Sequence, residues 1–105
     1  MNMYSRFVAS RINKELTPAE SLGSAFLGLV CEAGEAGDII KKYLYQGQPL
    51  DREKLLRELG DVRFYLEWCC QLLRTSVPEI EELNIEKLEK RYPTGFVANV
   101  KRGDK

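Results

Sequence analysis

Hydrophobic positions recur at helical spacing along most of the chain, and no stretch alternates with the period of two that a half-buried strand requires. Tyr4 to Leu16 predicts a short first helix with Phe7, Val8 and Ile12 available for burial. Thr17-Pro18 restarts the chain: Thr is a good N-cap, Pro suits the first helical position, and Glu20 completes a capping box. The second helix is predicted from about Pro18 to about Tyr45, and Gln46-Gly47-Gln48-Pro49 is a turn signal. Asp51 is the expected N-cap of a third helix reaching about Arg74. Ser76 or Val77 leads into Pro78 at the start of a fourth, which ends near Arg91 before Pro93. Thr94-Gly95-Phe96 reads as a turn, and the polar tail Val100–Lys105 as frayed.

Counted at about 100° per residue, Leu22, Phe26, Leu29, Ala33, Ile40 and Leu44 form one stripe on the second helix. Leu55, Leu59, Val62, Leu66, Cys69 and Leu73 form one on the third. Both stripes are expected to be core, and the short turn makes these helices antiparallel neighbours. The expected architecture is all-α: four helices built on a central antiparallel hairpin, in a single domain over residues 1–105 with its core at about 18–96. A helical domain of 105 residues buries only a modest core, which favours an oligomer.

Composition narrows the chemistry. Lys plus Arg equals Asp plus Glu at 16 each, so no global basic field exists for long nucleic acid, although a local cluster could hold a phosphate chain. The N-terminus lacks the apolar run of a signal peptide, and no stretch approaches membrane-spanning length. Cys31, Cys69 and Cys70 have no zinc-type spacing and read as reduced, mostly packed thiols of a cytoplasmic protein. The chain has no histidine, which removes the commonest metal ligand and general base and leaves oxygen or thiolate to hold any metal.

Glu32 and Glu35 are three apart on the second helix, as are Glu58 and Asp61 on the third, each pair at the edge of its apolar stripe. Folding about Gly47–Pro49 brings the pairs to similar height, so four carboxylates are expected to converge. Such a cluster repels itself, and a hard divalent cation such as Mg²⁺ or Mn²⁺ relieves it. Pairs of Glu at this spacing also arise on solvated helix faces. Gly28, Gly34, Gly37 and Gly60 lie inside predicted helices at a cost of about 1 kcal/mol each relative to Ala. They would permit either close approach of a ligand or tight helix packing.

Glu32-Ala-Gly-Glu35 followed by Glu58-Leu-Gly-Asp61 resembles the ExxE…ExxD signature of MazG-like nucleotide pyrophosphohydrolases, shared with dimeric dUTPases and phosphoribosyl-ATP pyrophosphohydrolase. Asn84-Ile-Glu-Lys87-Leu-Glu-Lys-Arg91-Tyr92-Pro93-Thr-Gly95-Phe96 is similar to the N-x-x-K-L-x-x-R-Y-P-x-G-F ending of the short MazG-like proteins, and Val97 departs from their polar preference. The resemblance implies an oligomer, either a dimer or a dimer of dimers. It implies Mg²⁺ (Mn²⁺ as a substitute) on Glu32, Glu35, Glu58 and Asp61, and nucleotide contacts from Asn84, Lys87, Arg91 and Tyr92. The implied reaction is hydrolysis of a nucleoside triphosphate to monophosphate and pyrophosphate. The mechanism we expect is attack of a metal-bound or carboxylate-activated water on the α-phosphorus, with one of the four carboxylates as base and Glu35 as the candidate.

Lys41, Lys42, Lys54, Arg57, Lys87 and Arg91 could each neutralise phosphate, though most such residues are ordinary surface charges, and Lys87 is singled out by sharing a face with Asn84. Tyr65 and Trp68, on the carboxylate edge of the third helix, could line a base pocket or pack in the core or a subunit interface. A phosphoribosyl-ATP pyrophosphohydrolase-like enzyme and a non-catalytic nucleotide-sensing oligomer are the competing readings.

Overall fold

The structure, a computed structural model, describes residues 1–96 and 98. The frayed tail expected at Val100–Lys105 and the departure at Val97 fall outside the described residues. Four helices appear in order: α1 (Met3–Ala9), α2 (Pro18–Tyr45), α3 (Arg52–Leu72) and α4 (Val77–Arg91). The all-α class is as expected, and no strand occurs among the described residues beyond an isolated bridge between Pro93 and Gly95.

Local chemistry sets the helix ends. At α2, Thr17 Oγ1 accepts from Glu20 N–H at 3.2 Å while Glu20 Oε1 accepts from Thr17 N–H at 2.9 Å, so both halves of the capping box form. Asp51 caps α3 by accepting from Lys54 N–H at 3.0 Å, and Ser76 caps α4 by accepting from Glu79 N–H at 3.3 Å. The connection from α2 to α3 reverses at Gly47, whose φ of 68° is a left-handed conformation that glycine adopts without a Cβ penalty. The first helix is shorter than its periodicity predicts. It stops at Ala9, and Ser10 Oγ–H donates to the Phe7 carbonyl at 2.6 Å, a local bond that competes with helix continuation.

The chain divides into two compact units, Met1–Arg74 and a second beginning at Thr75. In the first unit, α2 packs along α3, and α1 packs against α3. Residues pair in opposite chain order across α2 and α3: position 28 meets Tyr65, and Glu32 meets Glu58 and Asp61. Gly28 is the glycine where absence of a side chain matters, because a Cβ there would overlap the Tyr65 ring.

The core consists of Val8, Ala25, Trp68 and Cys69, flanked by Ile12, Leu16, Leu29, Phe64, Tyr65 and Leu72. This corrects the expected stripes. On α2, Leu22, Phe26, Ile40 and Leu44 are exposed, whereas Ser21 and Ala25 are buried. On α3, Leu59 and Leu73 are exposed. Apolar side chains of the pair thus lie both in the core and at the surface, and the buried positions of α2 are the small residues Ser21 and Ala25. The thiols divide likewise: Cys69 and Cys70 are free and buried, while Cys31, expected to pack, is free and exposed. Burial pushes both buried thiols above their ordinary pKa, which keeps them protonated and inert.

A buried polar network ties α1 to α3. Glu67 is 5% exposed and accepts from Arg63 Nη1 and from Gln71 Nε2, each at 3.2 Å. The same Gln71 amide nitrogen donates to the Ser5 carbonyl at 2.9 Å. Arg63 stacks over the Tyr4 ring at 4.8 Å.

The second unit contains α4 and the turn that follows it. Gly95, with φ of 116°, closes that turn through its N–H to the Tyr92 carbonyl at 3.3 Å, and the Tyr92 and Phe96 rings lie 5.5 Å apart.

Candidate metal centre

The facing of α2 and α3 brings together Glu32, Glu58 and Asp61, each offering a carboxylate oxygen within 4.8 Å of the others. Glu32 and Glu58 are half-buried and Asp61 is exposed, so the cluster lies at the rim of the packed helix pair. The carboxyl of Glu32 titrates above the ordinary range. The largest cause is its contact with Glu58, which two carboxylates make only by sharing a proton; burial and the charges of Asp61, Glu58 and Glu35 add to it. One Glu58 oxygen, Oε2, is buried with no hydrogen-bond donor among the described residues. An orphaned carboxylate oxygen beside two further carboxylates is a poor arrangement for protein alone and a good one for a hard cation with oxygen ligands. The residues therefore fit a divalent ion of the Mg²⁺ type.

Glu35 is not one of the three. It is exposed and lines an adjoining cleft of about 320 Å³ together with Glu58. The four-way convergence expected from helical spacing is thus a trio plus a neighbour. The cleft extends towards the α2–α3 turn, where its walls carry Asp38, Lys42, Asp51 and Lys54. Lys42 pairs with Asp38 at 2.9 Å, and that hydrogen bond holds the Asp38 carboxyl below its ordinary pKa. Residue counting had ranked neither lysine above the other surface cations, because the cleft exists only once the helices are paired.

The remaining expected site residues fall in different places. Trp68 is 4% exposed in the core, with its ring centroid 6.2 Å from that of Tyr65, so packing is what its surroundings supply. Gly34, Gly37 and Gly60 face open space rather than a neighbour, so close approach within this chain does not account for them. In the second unit, Asn84 and Lys87 are exposed one turn apart on α4, while Arg91 ends the helix with its guanidinium 6.0 Å from the Tyr92 ring centre.

An all-α chain with three carboxylates converging across a helix pair has the features of a candidate metal-binding domain. Residues 20–96 match the model of the MazG nucleotide pyrophosphohydrolase domain, and the chain belongs to that family. It is also similar to the Gene 37 protein of Mycobacterium phage L5, with 32% identity over 82 residues covering 74% of this chain and 72% of the phage protein. No solved structure matches the chain. No helix among the described residues is long and apolar enough to cross a membrane.

Proposed function

We propose that this protein is a Mg²⁺-dependent nucleoside triphosphate pyrophosphohydrolase that releases a nucleoside monophosphate and pyrophosphate. The observation that carries this reading is the convergence of Glu32, Glu58 and Asp61 within 4.8 Å, at the motif positions of a chain matching the MazG domain. These three carboxylates hold the cation. A bound Mg²⁺ supplies charge neutralisation at the phosphates and polarises the attacked phosphorus. Glu35 lies just outside the trio and takes the proton of the attacking water, a role that suits a carboxylate not consumed by the metal.

Asn84, Lys87, Arg91 and Tyr92 contact the sugar and phosphates, a role carried by their resemblance to the family ending. The family match over residues 20–96 runs through both compact units, which supports reading that span as belonging to one functional domain. Trp68 acts from within the core as support for the α3 wall. The working form is a homodimer or a dimer of dimers in the cytoplasm.

The test is pyrophosphate release from a panel of ribo- and deoxynucleoside triphosphates, with Mg²⁺, with EDTA and with Glu35→Gln. The reading expects Mg²⁺-dependent release that EDTA and the substitution abolish while far-UV circular dichroism is unchanged. Full activity in Glu35→Gln overturns the base assignment. A folded wild-type protein that cleaves none of the panel overturns the substrate class and leaves a phosphoribosyl-ATP-like substrate or a non-catalytic sensor.

A further inference from the structure

The carboxylate trio lies where α2 faces α3, and the two directions along the helices from it differ. Towards the start of α2, the Tyr65 ring covers Gly28 and Trp68 is buried behind it, so that end is filled by packing. Towards the α2–α3 turn lies the cleft of about 320 Å³, which shares Glu58 with the trio. Two lysines line that cleft, Lys42 from α2 and Lys54 from α3. Lys42 is half-buried and fixed by Asp38, while Lys54 is exposed and has no ion pair within 4.0 Å among the described residues.

We propose that this cleft receives the diphosphate end of the triphosphate, with Lys42 and Lys54 neutralising the departing pyrophosphate. The inference rests on the pyrophosphohydrolase reading and adds the direction in which the substrate lies. When water oxygen bonds to the α-phosphorus, the bond from that phosphorus to the α,β-bridging oxygen breaks. The bridging oxygen leaves on the β-phosphate with the electron pair, and the water proton passes to Glu35. Negative charge therefore grows on the leaving diphosphate, and cations placed there stabilise the transition state more than the ground state. The carboxylates Glu35, Asp38, Asp51 and Glu58 also line the cleft, so a bare anion is disfavoured. A diphosphate carried with its divalent cation matches the mixed charge. An intact mononucleotide finds few apolar surfaces there, because Ile39 and Pro49 are the apolar side chains of the lining.

The experiment titrates inorganic pyrophosphate, with and without Mg²⁺, into wild type, Lys54→Met, Lys42→Met and Lys54→Arg by calorimetry. A nucleoside monophosphate is titrated in parallel, and steady-state kinetics are measured on the same proteins. Pyrophosphate is expected to bind in Mg²⁺ and to weaken by about tenfold in each Met variant, the loss of one charge-assisted contact. Lys54→Arg should retain most of the affinity, and monophosphate binding should not change. Wild type that fails to bind pyrophosphate overturns the proposal. So does unchanged pyrophosphate affinity in both Met variants, and so does loss of monophosphate in place of pyrophosphate. Turnover in wild type with unchanged lysine variants leaves the pyrophosphohydrolase reading standing without this cleft assignment. Lysine-dependent pyrophosphate binding in a wild type that cleaves nothing supports the cleft while the activity reading fails.

Discussion

Glu32 concentrates the electrostatic conflict of the site. Its pKa is raised first by contact with Glu58 and then by burial and the surrounding carboxylates. A carboxyl raised in the folded state favours folding at acid pH, and that contribution is lost as pH rises through the folded value. Above that folded value, the cation-free protein therefore carries an unrelieved repulsion. Glu32→Gln removes one charge from the trio and can donate to the orphaned Glu58 oxygen. In EDTA, at a pH above the folded value, the variant should melt several degrees above wild type by calorimetry. Mg²⁺ should raise the melting temperature of wild type and leave the variant nearly unmoved. A wild type indifferent to Mg²⁺, with a variant less stable in EDTA, would mean that the cluster is not a cation site. The pairing of Glu32 with Glu58 and Asp61 was legible from residue spacing and the short turn. The displacement of Glu35 was not, because position along one helix does not report the offset of its partner.

The helix boundaries show where local sequence decides structure. Thr17 with Glu20 and Asp51 form the expected caps, because a cap needs only residues within one turn. Of the two candidates before Pro78, Ser76 and Val77, Ser76 is the cap, with the helix starting at Val77. Which side of α2 turns inward depends on what α3 places against it, and the apolar count misjudged that side. The Ser5, Arg63, Glu67 and Gln71 network was likewise missed. Its signal is the run 63, 67, 71 at four-residue spacing on α3, which acquires meaning only when α1 docks over it. Burial alone would raise the Glu67 pKa, but hydrogen bonds from Gln71, Ser5 and Arg63 outweigh it and hold the carboxyl below the ordinary value. With the pKa depressed, the stabilising contribution is present above the unfolded value and lost as pH falls through the folded one. Glu67→Gln should lower stability at neutral pH by about 1–3 kcal/mol, since it weakens charge-assisted bonds to a buried group. It should also flatten the acid limb of the stability curve. Urea titrations between neutral and acid pH test this: a variant with the wild-type slope at low pH would show that α1 is held by packing alone.

At the scale of the molecule, the unexplained feature is the apolar surface on the pair that carries the trio. Leu27 and Val30 are each 67% exposed on α2, and Leu22, Phe26 and Leu73 border an apolar groove nearby. Burying one such side chain completely is worth about 1.5–3 kcal/mol, so several together can hold a second copy despite the entropy lost on association. The open glycines on the same helix suit close approach by another backbone, although they do not by themselves identify it. The expectation of an oligomer came from chain length and family resemblance; these exposed positions now say where to test it. Leu27→Lys with Val30→Lys should leave the isolated chain folded, because neither side chain is buried in it. Sedimentation equilibrium should give a dimer or tetramer for wild type and a monomer for the double variant, with helicity retained in both. If pyrophosphate release falls with the loss of assembly while Mg²⁺ still raises the melting temperature, the cation site belongs to one chain and the nucleotide site to the assembly. A wild type that sediments as a monomer at all concentrations would reject self-association as the role of this face.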